Sequence, residues 1–120
     1  MHIDKDLVAA SATPLVLGIL ANGESYGYAI LKRVNELSDG RMQWTDGMLY
    51  PLLHRLERLG YVQSSWGTSE IGRRRKHYAI TESGLALLAD RQSQWDVVAA
   101  ALAQVWNSAR PAERPAQGWA

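Results

Sequence analysis

Apolar residues in the first part of the chain recur at the three- and four-residue spacing of amphipathic helices. Asp4 is a suitable N-cap for a first helix that extends to about Ala21. Pro14 interrupts the helical pattern, which predicts either a kink there or a second helix start at Thr13 and Pro14. The apolar face of this first helix is formed by Leu7, Val8, Leu15, Ile19 and Leu20.

Asn22 and Gly23 mark the end of the first helix, and a second helix is predicted after them. Ser25 is placed to cap this helix, and its apolar residues again follow near-helical spacing. The run Ser38, Asp39, Gly40 is typical of a helix end. The residues at this spacing are Tyr26, Ile30, Val34 and Leu37.

The third helix separates apolar from polar residues most clearly. Thr45 or Asp46 is predicted to cap it, and it is predicted to end at Gly60. At ~100° per residue, one arc is entirely leucine and is assigned to the core. That arc carries Leu49, Leu52, Leu53, Leu56 and Leu59. The opposite side carries Gly47, Tyr50, Pro51, His54, Arg55 and Arg58. This side is either a solvated surface or a contact surface, and a cationic hairpin beside it favours the second.

A β-hairpin is predicted after this helix. Residues 61–67 alternate between two faces, as a half-buried strand does, and residues 76–81 are strand-like again. The turn-forming run 68–72 separates them. We predict that the four consecutive cations Arg73, Arg74, Arg75 and Lys76 stand at the hairpin tip. A solvated tip is the simpler interpretation, but four adjacent like charges repel unless an anion neutralises them, so we favour phosphate binding.

A last, long helix begins at Thr81 and Glu82. Its apolar residues follow a heptad-like spacing, interrupted by Arg91. This stripe either folds back on its own domain or packs against a second subunit. We favour the second interpretation, because symmetric dimers are the commonest oligomers and suit palindromic DNA. The predicted interface consists of Leu88, Trp95, Val98, Leu102 and Val105.

The net charge of +1 conceals an internal asymmetry. The segment from Arg41 to Tyr78 holds seven basic and three acidic residues, a net charge of +4. The rest of the chain holds six basic and nine acidic residues, a net charge of −3. An asymmetry of this kind indicates nucleic-acid binding better than the total charge does.

Several function classes are disfavoured by what the sequence lacks. There is no Cys, which excludes disulfides and thiolate nucleophiles and suits the cytoplasm. His2, His54 and His77 are far apart, and none lies at metal-ligand spacing from another ligand. No apolar run approaches the ~20 residues of a membrane span, and no signal-peptide pattern is present. We therefore predict a cytoplasmic, non-enzymatic protein without metal, cofactor or membrane contact.

Three motifs resemble the PadR family of transcriptional regulators. They are residues 25–30, residues 47–57 with the following 60–62, and residues 72–81 with Gly84. The resemblance spans about Pro14 to Gly84, and the Leu-Tyr-Pro-Leu-Leu-x-Arg-Leu-Glu run is specific enough to make chance similarity improbable. It implies a winged helix-turn-helix that binds DNA as a dimer. The residues that would contact DNA are Thr45, Tyr50, Pro51, His54 and Arg55 at the third helix, and Arg73, Arg74, Arg75 and Lys76 in the hairpin.

The single last helix resembles a smaller PadR subgroup that includes multidrug-sensing repressors. This resemblance implies a ligand site between subunits, in which a Trp from each copy stacks on a flat molecule. Trp95 stands at the matching place, where it forms either this site or plain packing at the dimer seam. Ala99 replaces a carboxylate that some drug binders use for cationic ligands, so the implied ligand is a planar hydrophobic molecule.

The fold class predicted from the sequence is mainly α with a small β-hairpin. Residues 1–81 form a winged helix-turn-helix, 82–106 a dimerisation helix, and 107–120 a disordered tail. The predicted function is a dimeric repressor that binds an inverted-repeat operator and is released by a small hydrophobic ligand. The alternative is a winged-helix module that binds protein instead of DNA, which would leave the four cations unexplained.

Overall fold

The computed structural model describes residues 1–108, and over this range it contains four helices and one three-stranded sheet. The helices are α1 (Lys5–Ala21), α2 (Gly27–Leu37), α3 (Asp46–Arg58) and α4 (Glu82–Ser108). The strands are β1 (Ser25–Tyr26), β2 (Val62–Thr68) and β3 (Arg74–Ile80). The predicted fold class, mainly helical with a small β-hairpin, is confirmed.

Helix α1 is continuous through its proline. Asp4 Oδ1 accepts a hydrogen bond from Lys5 N at 3.1 Å, so the predicted cap is confirmed. Pro14 lies inside the helix, which continues to Ala21 without a second start. An internal proline removes one hydrogen bond and crowds the carbonyl of the preceding turn, but buried residues on both sides of Pro14 keep the helix together.

The buried face of α1 differs in part from the predicted one. Leu7 is 57% exposed, so its assignment to the core is wrong. Because successive helical residues are about 100° apart, Leu7 lies on a different side from its neighbour Val8, which is buried. The buried residues are Val8, Ala12, Val16, Leu17 and Leu20.

The start of α2 also differs from the prediction. Ser25 does not cap this helix: together with Tyr26 it forms β1, which pairs with Tyr78 and His77 of β3. The helix begins at Gly27, directly after the extended backbone of Tyr26. The pairing partner is about fifty residues further along the chain, so no local pattern around Ser25 reveals this strand.

The end of α2 and the beginning of α3 follow the prediction. Helix α2 ends at Leu37, and the chain then turns through Gly40, whose φ is +74°. Thr45 is the N-cap of α3, although its side chain makes no capping hydrogen bond. Its carbonyl oxygen instead accepts from the N–H groups of Met48 at 3.1 Å and Leu49 at 3.0 Å.

Four of the five leucines on α3 are core residues. Leu59 is the exception, because 57% of it is exposed. It lies at the C-cap, after the last helical residue Arg58, and Gly60 then adopts a φ of +84°. The chain has left the helix there, so the 100° periodicity no longer applies. The buried residues of α3 are Leu49, Leu52, Leu53 and Leu56.

The sheet is antiparallel, with β3 between β1 and β2. Alternate residues of a strand point to opposite faces, so Arg74, Lys76 and Tyr78 share one face while Arg75 and His77 share the other. The opposed pairs of β2 and β3 that share a face with Tyr78 are Val62–Ile80, Ser64–Tyr78, Trp66–Lys76 and Thr68–Arg74. We call β2, β3 and the turn between them the wing (residues 62–80).

The turn of the wing holds only one of the four consecutive cations. Ser69 closes this turn, since its N–H donates to Arg73 O at 2.7 Å and its Oγ accepts from Arg73 N at 3.1 Å. Gly72 has a φ of +84°. The prediction that all four cations stand at the tip is therefore wrong for Arg74, Arg75 and Lys76, which belong to β3.

Helix α4 begins against the end of α3. Thr81 Oγ1 donates to Gly60 O at 2.6 Å and accepts from Gly84 N at 3.1 Å, so one hydroxyl caps α4 and ties it to the preceding turn. A methyl group on Gly84 would lie 2.7 Å from Ile80 Cγ1, so a larger residue does not fit. Leu88 packs against the hydrophobic core, contrary to the expectation that the whole apolar stripe needs another partner.

The chain forms two compact units, Met1–Ala89 and a second unit that begins at Asp90. In the second unit α4 leaves Val98 47% exposed and Leu102 41% exposed. The helix continues to Ser108, two residues beyond its predicted end at residue 106. The remaining part of the predicted disordered tail, residues 109–120, lies outside the described residues.

Candidate nucleic-acid interface

Tyr50 and His54 lie one turn apart on the exposed side of α3, as predicted. Their ring centroids are 6.5 Å apart. The phenol of Tyr50 lies across Gly27, the first residue of α2, where an added Cβ would be 2.6 Å from Tyr50 Cζ. A side chain at position 27 would displace this ring from its place. The first turn of α2 therefore determines where Tyr50 can stand on the surface of α3.

A concave surface of about 740 Å³ runs between α3, the start of α2 and the wing; we call it the α3–wing groove. It brings together six of the predicted DNA-contacting residues. It also contains aromatic and apolar side chains that the sequence did not single out. The groove is lined by Tyr26, Gly27, Tyr28, Tyr50, His54, Trp66, Ser69, Ile71, Arg73, Arg74, Arg75, Lys76 and Tyr78.

The arginines of β3 are held by aromatic rings. The guanidinium carbon of Arg74 lies 4.5 Å from the centroid of the Trp66 ring. That of Arg75 lies 3.8 Å from the centroid of the Tyr26 ring. Stacking of this kind restrains a guanidinium while its N–H edges stay free to donate hydrogen bonds. Arg74 and Arg75 leave β3 on opposite faces of the sheet, yet both line the α3–wing groove.

Lys76 differs from the three arginines because a carboxylate faces it. Its Nζ is 3.8 Å from Oε1 of Glu57 on α3, and the side chains of both are about one-third exposed, 33% and 34%. The other carboxylate oxygen of Glu57, Oε2, accepts a hydrogen bond from Ser64 Oγ. The charge of Lys76 is thus partly compensated within the chain.

Tyr78 is a buried residue next to Lys76 and Glu57. It is 1% exposed, and its hydroxyl makes no hydrogen bond within residues 1–108. Burial raises the pKa of Tyr78 above its ordinary value of 10.0, and the nearby groups Glu57 and Tyr50 raise this pKa further. Lys76 Nζ lies 5.6 Å from the centroid of the Tyr78 ring.

A further aromatic contact lies where β3 pairs with β1. The rings of His77 and Tyr26 have centroids 5.6 Å apart, and His77 Nδ1 lies 3.8 Å from Oε1 of Glu24. Both pairs join β3 to the segment that leads into α2. The side chain of His77 also covers Gly67 on β2, where an added Cβ would be 3.1 Å from His77 Cδ2.

Three of the predicted DNA-contacting residues do not line the α3–wing groove. Pro51 and Arg55 lie on a different flank of α3, in a groove of about 520 Å³ shared with Val8 and Ala12 of α1. Thr45, the N-cap of α3, is exposed but lines neither groove. The predicted set therefore divides into residues that face the wing and residues that do not.

The predicted ligand and dimer residues lie mostly on the exposed surface of α4. Trp95 is half-buried and Ala99 is exposed. Val98, Leu102 and Val105 are all more than two-fifths exposed. In the part of the chain that the structure describes, no group of three His, Cys, Asp or Glu side chains could hold a metal ion. Within residues 1–108, no helix is long and apolar enough to cross a membrane.

Comparison with known proteins identifies the family. A model of the PadR-like family of transcriptional regulators matches residues 16–90, which is more than half of the chain. The chain belongs to this family. The match contains α2, α3 and the wing, and therefore every residue that lines the α3–wing groove. The family consists of transcriptional regulators, and the chain is accordingly a regulator and not an enzyme.

Solved structures of PadR-like proteins share this fold. A transcriptional regulator from Clostridium thermocellum is 28% identical with a TM-score of 0.77, over 85% of this chain and 96% of that one. A PadR-family transcriptional regulator from Eggerthella lenta is 32% identical with a TM-score of 0.70, over 83% of this chain and 85% of that one.

The Escherichia coli transcriptional regulator YqjI is 29% identical over 70% of this chain but only 39% of its own length.

Sequence reasoning missed five side chains of the interface region: Tyr26, Tyr28, Glu57, Trp66 and Ile71. Trp66 could have been found, because strand alternation places it on the same face as Ser64 and Val62. The others had no such signal. Tyr26 and Tyr28 enter the groove because β1 joins β3, and Glu57 meets Lys76 only once the wing has folded back toward α3.

Proposed function

We propose that this PadR-like regulator binds double-stranded DNA through the α3–wing groove. The observation that carries this proposal is the convergence of Tyr50 and His54 from α3 with Arg73, Arg74 and Arg75 from the wing on one concave surface. Cations neutralise the charge of phosphates, and side chains on a short helix reach base edges in the major groove. Aromatic rings beneath the guanidinium groups support this arrangement, because they hold the cations in place before DNA arrives.

The groove supports a division of labour between its two sides. Tyr50 and His54 would read bases, while Arg73, Arg74 and Arg75 would contact the phosphate backbone or the minor groove. Lys76 would contribute less than the arginines, because Glu57 already compensates part of its charge. Pro51, Arg55 and Thr45 would lie at the edge of the contact, since they do not line this groove.

The same proposal includes a homodimer that recognises an inverted repeat. In the second unit α4 carries Val98, Leu102, Val105 and Trp106 on its exposed surface. A single chain leaves this apolar area in water, and a second copy is the partner that a symmetric operator requires. Two α3 helices would then read half-sites about one helical turn, ~34 Å, apart. In the cytoplasm, a dimer bound in this way next to a promoter would act as a repressor.

Release from DNA would come from a planar hydrophobic ligand held between the two Trp95 rings. Trp95 is half-buried on α4, and the small residues Ala99, Ala100 and Ala101 follow one turn later. Small side chains beside an indole leave room for a flat molecule to stack. Binding shifts DNA affinity only as far as the ligand prefers one spacing of the subunits over the other.

Selection from a randomised pool of DNA duplexes tests the proposed DNA binding. The unmodified protein should enrich an inverted repeat, and His54→Ala should lose about 1–3 kcal/mol of affinity for that duplex but far less for random DNA. Arg33→Ala, on α2 and outside the α3–wing groove, is the matched control and should change neither affinity. Failure to enrich any sequence would refute the proposed function. Equal losses on both duplexes would assign His54 a positioning role only.

A further inference from the structure

One carboxylate connects α3 to both strands of the wing. Glu57 lies on the last turn of α3, and its Oε2 accepts the hydrogen bond from Ser64 Oγ on β2. Its Oε1 faces Lys76 Nζ on β3 at 3.8 Å. Within residues 1–108, no other side chain of α3 makes a hydrogen bond or ion pair to the wing.

The register of the sheet makes this a three-way connection. Ser64 is opposite Tyr78, and Lys76 is opposite Trp66, so Ser64 and Lys76 stand on the same face of neighbouring strands. A carboxylate has two oxygens that can accept hydrogen bonds in different directions. Glu57 uses one oxygen toward each strand, which restricts both the distance and the tilt of the wing relative to α3.

The stabilisation gained from the ion pair itself is small. Both side chains are about one-third exposed, and pairs in such positions contribute little to the free energy of unfolding because water screens them. The contact therefore contributes little to stability. Its main effect is a geometric restraint, since the two surfaces it joins carry the proposed base contacts and the proposed phosphate contacts.

We propose that Glu57 is a positioning residue that sets the distance between the wing and the side of α3 that carries Tyr50 and His54. This restraint increases the discrimination between DNA sequences. This inference rests on the proposed DNA binding. It also assigns Lys76 a structural role: its ammonium group is the wing-side partner of Glu57 more than a phosphate contact. With the wing held at this separation, Tyr50 and His54 can contact bases while Arg73 and Arg74 contact the phosphate backbone.

Neutralising Glu57 has two separable consequences. The wing is held less firmly, because the ion pair with Lys76 is lost and only the hydrogen bond from Ser64 can remain, so affinity for the preferred sequence falls. Lys76 also loses its partner and becomes available to phosphates, so affinity for random DNA rises and depends more steeply on salt. Discrimination falls for both reasons, whereas a merely structural residue would lower affinity for all sequences together.

The decisive experiment compares Glu57→Gln with Glu70→Gln. Both remove one negative charge, but Glu70 lies in the turn of the wing and makes no ion pair within residues 1–108. The probes are the duplex enriched by the unmodified protein and a random duplex of equal length. Glu57→Gln should lower the ratio of the two affinities about tenfold, roughly the effect of one impaired base contact, while Glu70→Gln leaves this ratio unchanged.

A second pair of variants separates position from charge. In Glu57→Gln combined with Lys76→Met, no freed ammonium remains, so the salt dependence on random DNA should be no steeper than that of the unmodified protein while discrimination stays low. Ser64→Ala keeps both charges and removes only the hydrogen bond, so it should reduce discrimination in a protein that still folds. Discrimination restored by Lys76→Met, or unaffected by Ser64→Ala, would show that Glu57 acts through charge alone.

The outcomes distinguish this inference from the proposed function. If the unmodified protein enriches no sequence, the proposed function and the role of Glu57 fall together. If it enriches a sequence but Glu57→Gln and Glu70→Gln have the same discrimination ratio, only the positioning role is overturned. Circular dichroism of each variant shows whether it remains folded before its DNA affinity is measured.

Discussion

At the scale of single residues, the molecule depends on a few positions where two elements approach each other closely. Gly27 is such a position, because the Tyr50 ring occupies the space that a side chain would need. Gly84 is another, where α4 begins against Ile80. Neither requirement is visible as a pattern in the sequence, since the colliding atoms belong to distant parts of the chain.

Tyr78 provides a test at this scale. Its pKa is raised, with burial as the first cause, so the folded state disfavours the ionised phenol. Well below pH 10 the phenol is neutral in both the folded and the unfolded state and contributes no pH dependence. Above pH 10 the unfolded chain releases this proton while the folded chain keeps it, so the free energy of unfolding falls as pH rises.

We therefore expect Tyr78→Phe to weaken the loss of stability that sets in as the pH rises through about 10. At pH 7 the free energy of unfolding should change by no more than about 1 kcal/mol, because the buried hydroxyl makes no hydrogen bond within residues 1–108. Urea unfolding at several pH values measures both effects, with Tyr28→Phe, an exposed tyrosine, as control. A large loss at neutral pH would reveal an additional partner for the hydroxyl.

At the scale of elements, the sequence predicted what depends on local periodicity. The leucine arc of α3 and the Asp4 cap of α1 are confirmed, because a helix imposes its spacing within a few residues. Leu59 and Ser25 were assigned wrongly, because the chain leaves α3 before Leu59 and because Ser25 pairs with a strand fifty residues away. Boundaries of elements depend on contacts that periodicity does not encode.

The cations of the wing show the same limit. Their presence was clear in the sequence, but their division between a turn and two faces of β3 was not. This division ranks them for DNA binding. Arg73 in the turn and Arg74 over Trp66 have no carboxylate partner within residues 1–108, whereas Lys76 faces Glu57.

We expect Arg73→Gln combined with Arg74→Gln to weaken binding to all duplexes similarly. The slope of log affinity against log salt should become shallower by about one unit per lost phosphate contact. Lys76→Met, the matched comparison on the same strand, should flatten the slope less. Fluorescence anisotropy at several salt concentrations gives these slopes. Equal slopes in the unmodified protein and the double variant would mean that the wing contributes no phosphate contact.

At the scale of the whole molecule, the family and the fold could be predicted from the sequence. The motifs around residues 47–57 and 72–81 were sufficient to indicate a PadR-like protein, and residues 16–90 match that family. Of the five residues in the predicted interface stripe on α4, Leu88 packs against the core of its own chain. The exposed part of the stripe is confined to the second unit.

Leu102→Asp tests whether this exposed part is a subunit interface. Leu102 is 41% exposed in a single chain, so an isolated chain would tolerate a carboxylate there at little cost. In a dimer seam the same carboxylate would be buried without a partner, which is strongly unfavourable. We expect light scattering to show a dimer for the unmodified protein and monomers for Leu102→Asp.

Gln104→Asp is the matched control, because it adds the same charge to an exposed polar position of α4 outside the stripe. It should leave the dimer intact. If dimerisation is what aligns two α3 helices, Leu102→Asp should also lose the affinity gained from the second half-site while each α3–wing groove keeps its weak binding to random DNA. A monomeric unmodified protein, or a Leu102→Asp variant that remains dimeric, would exclude this surface as the interface.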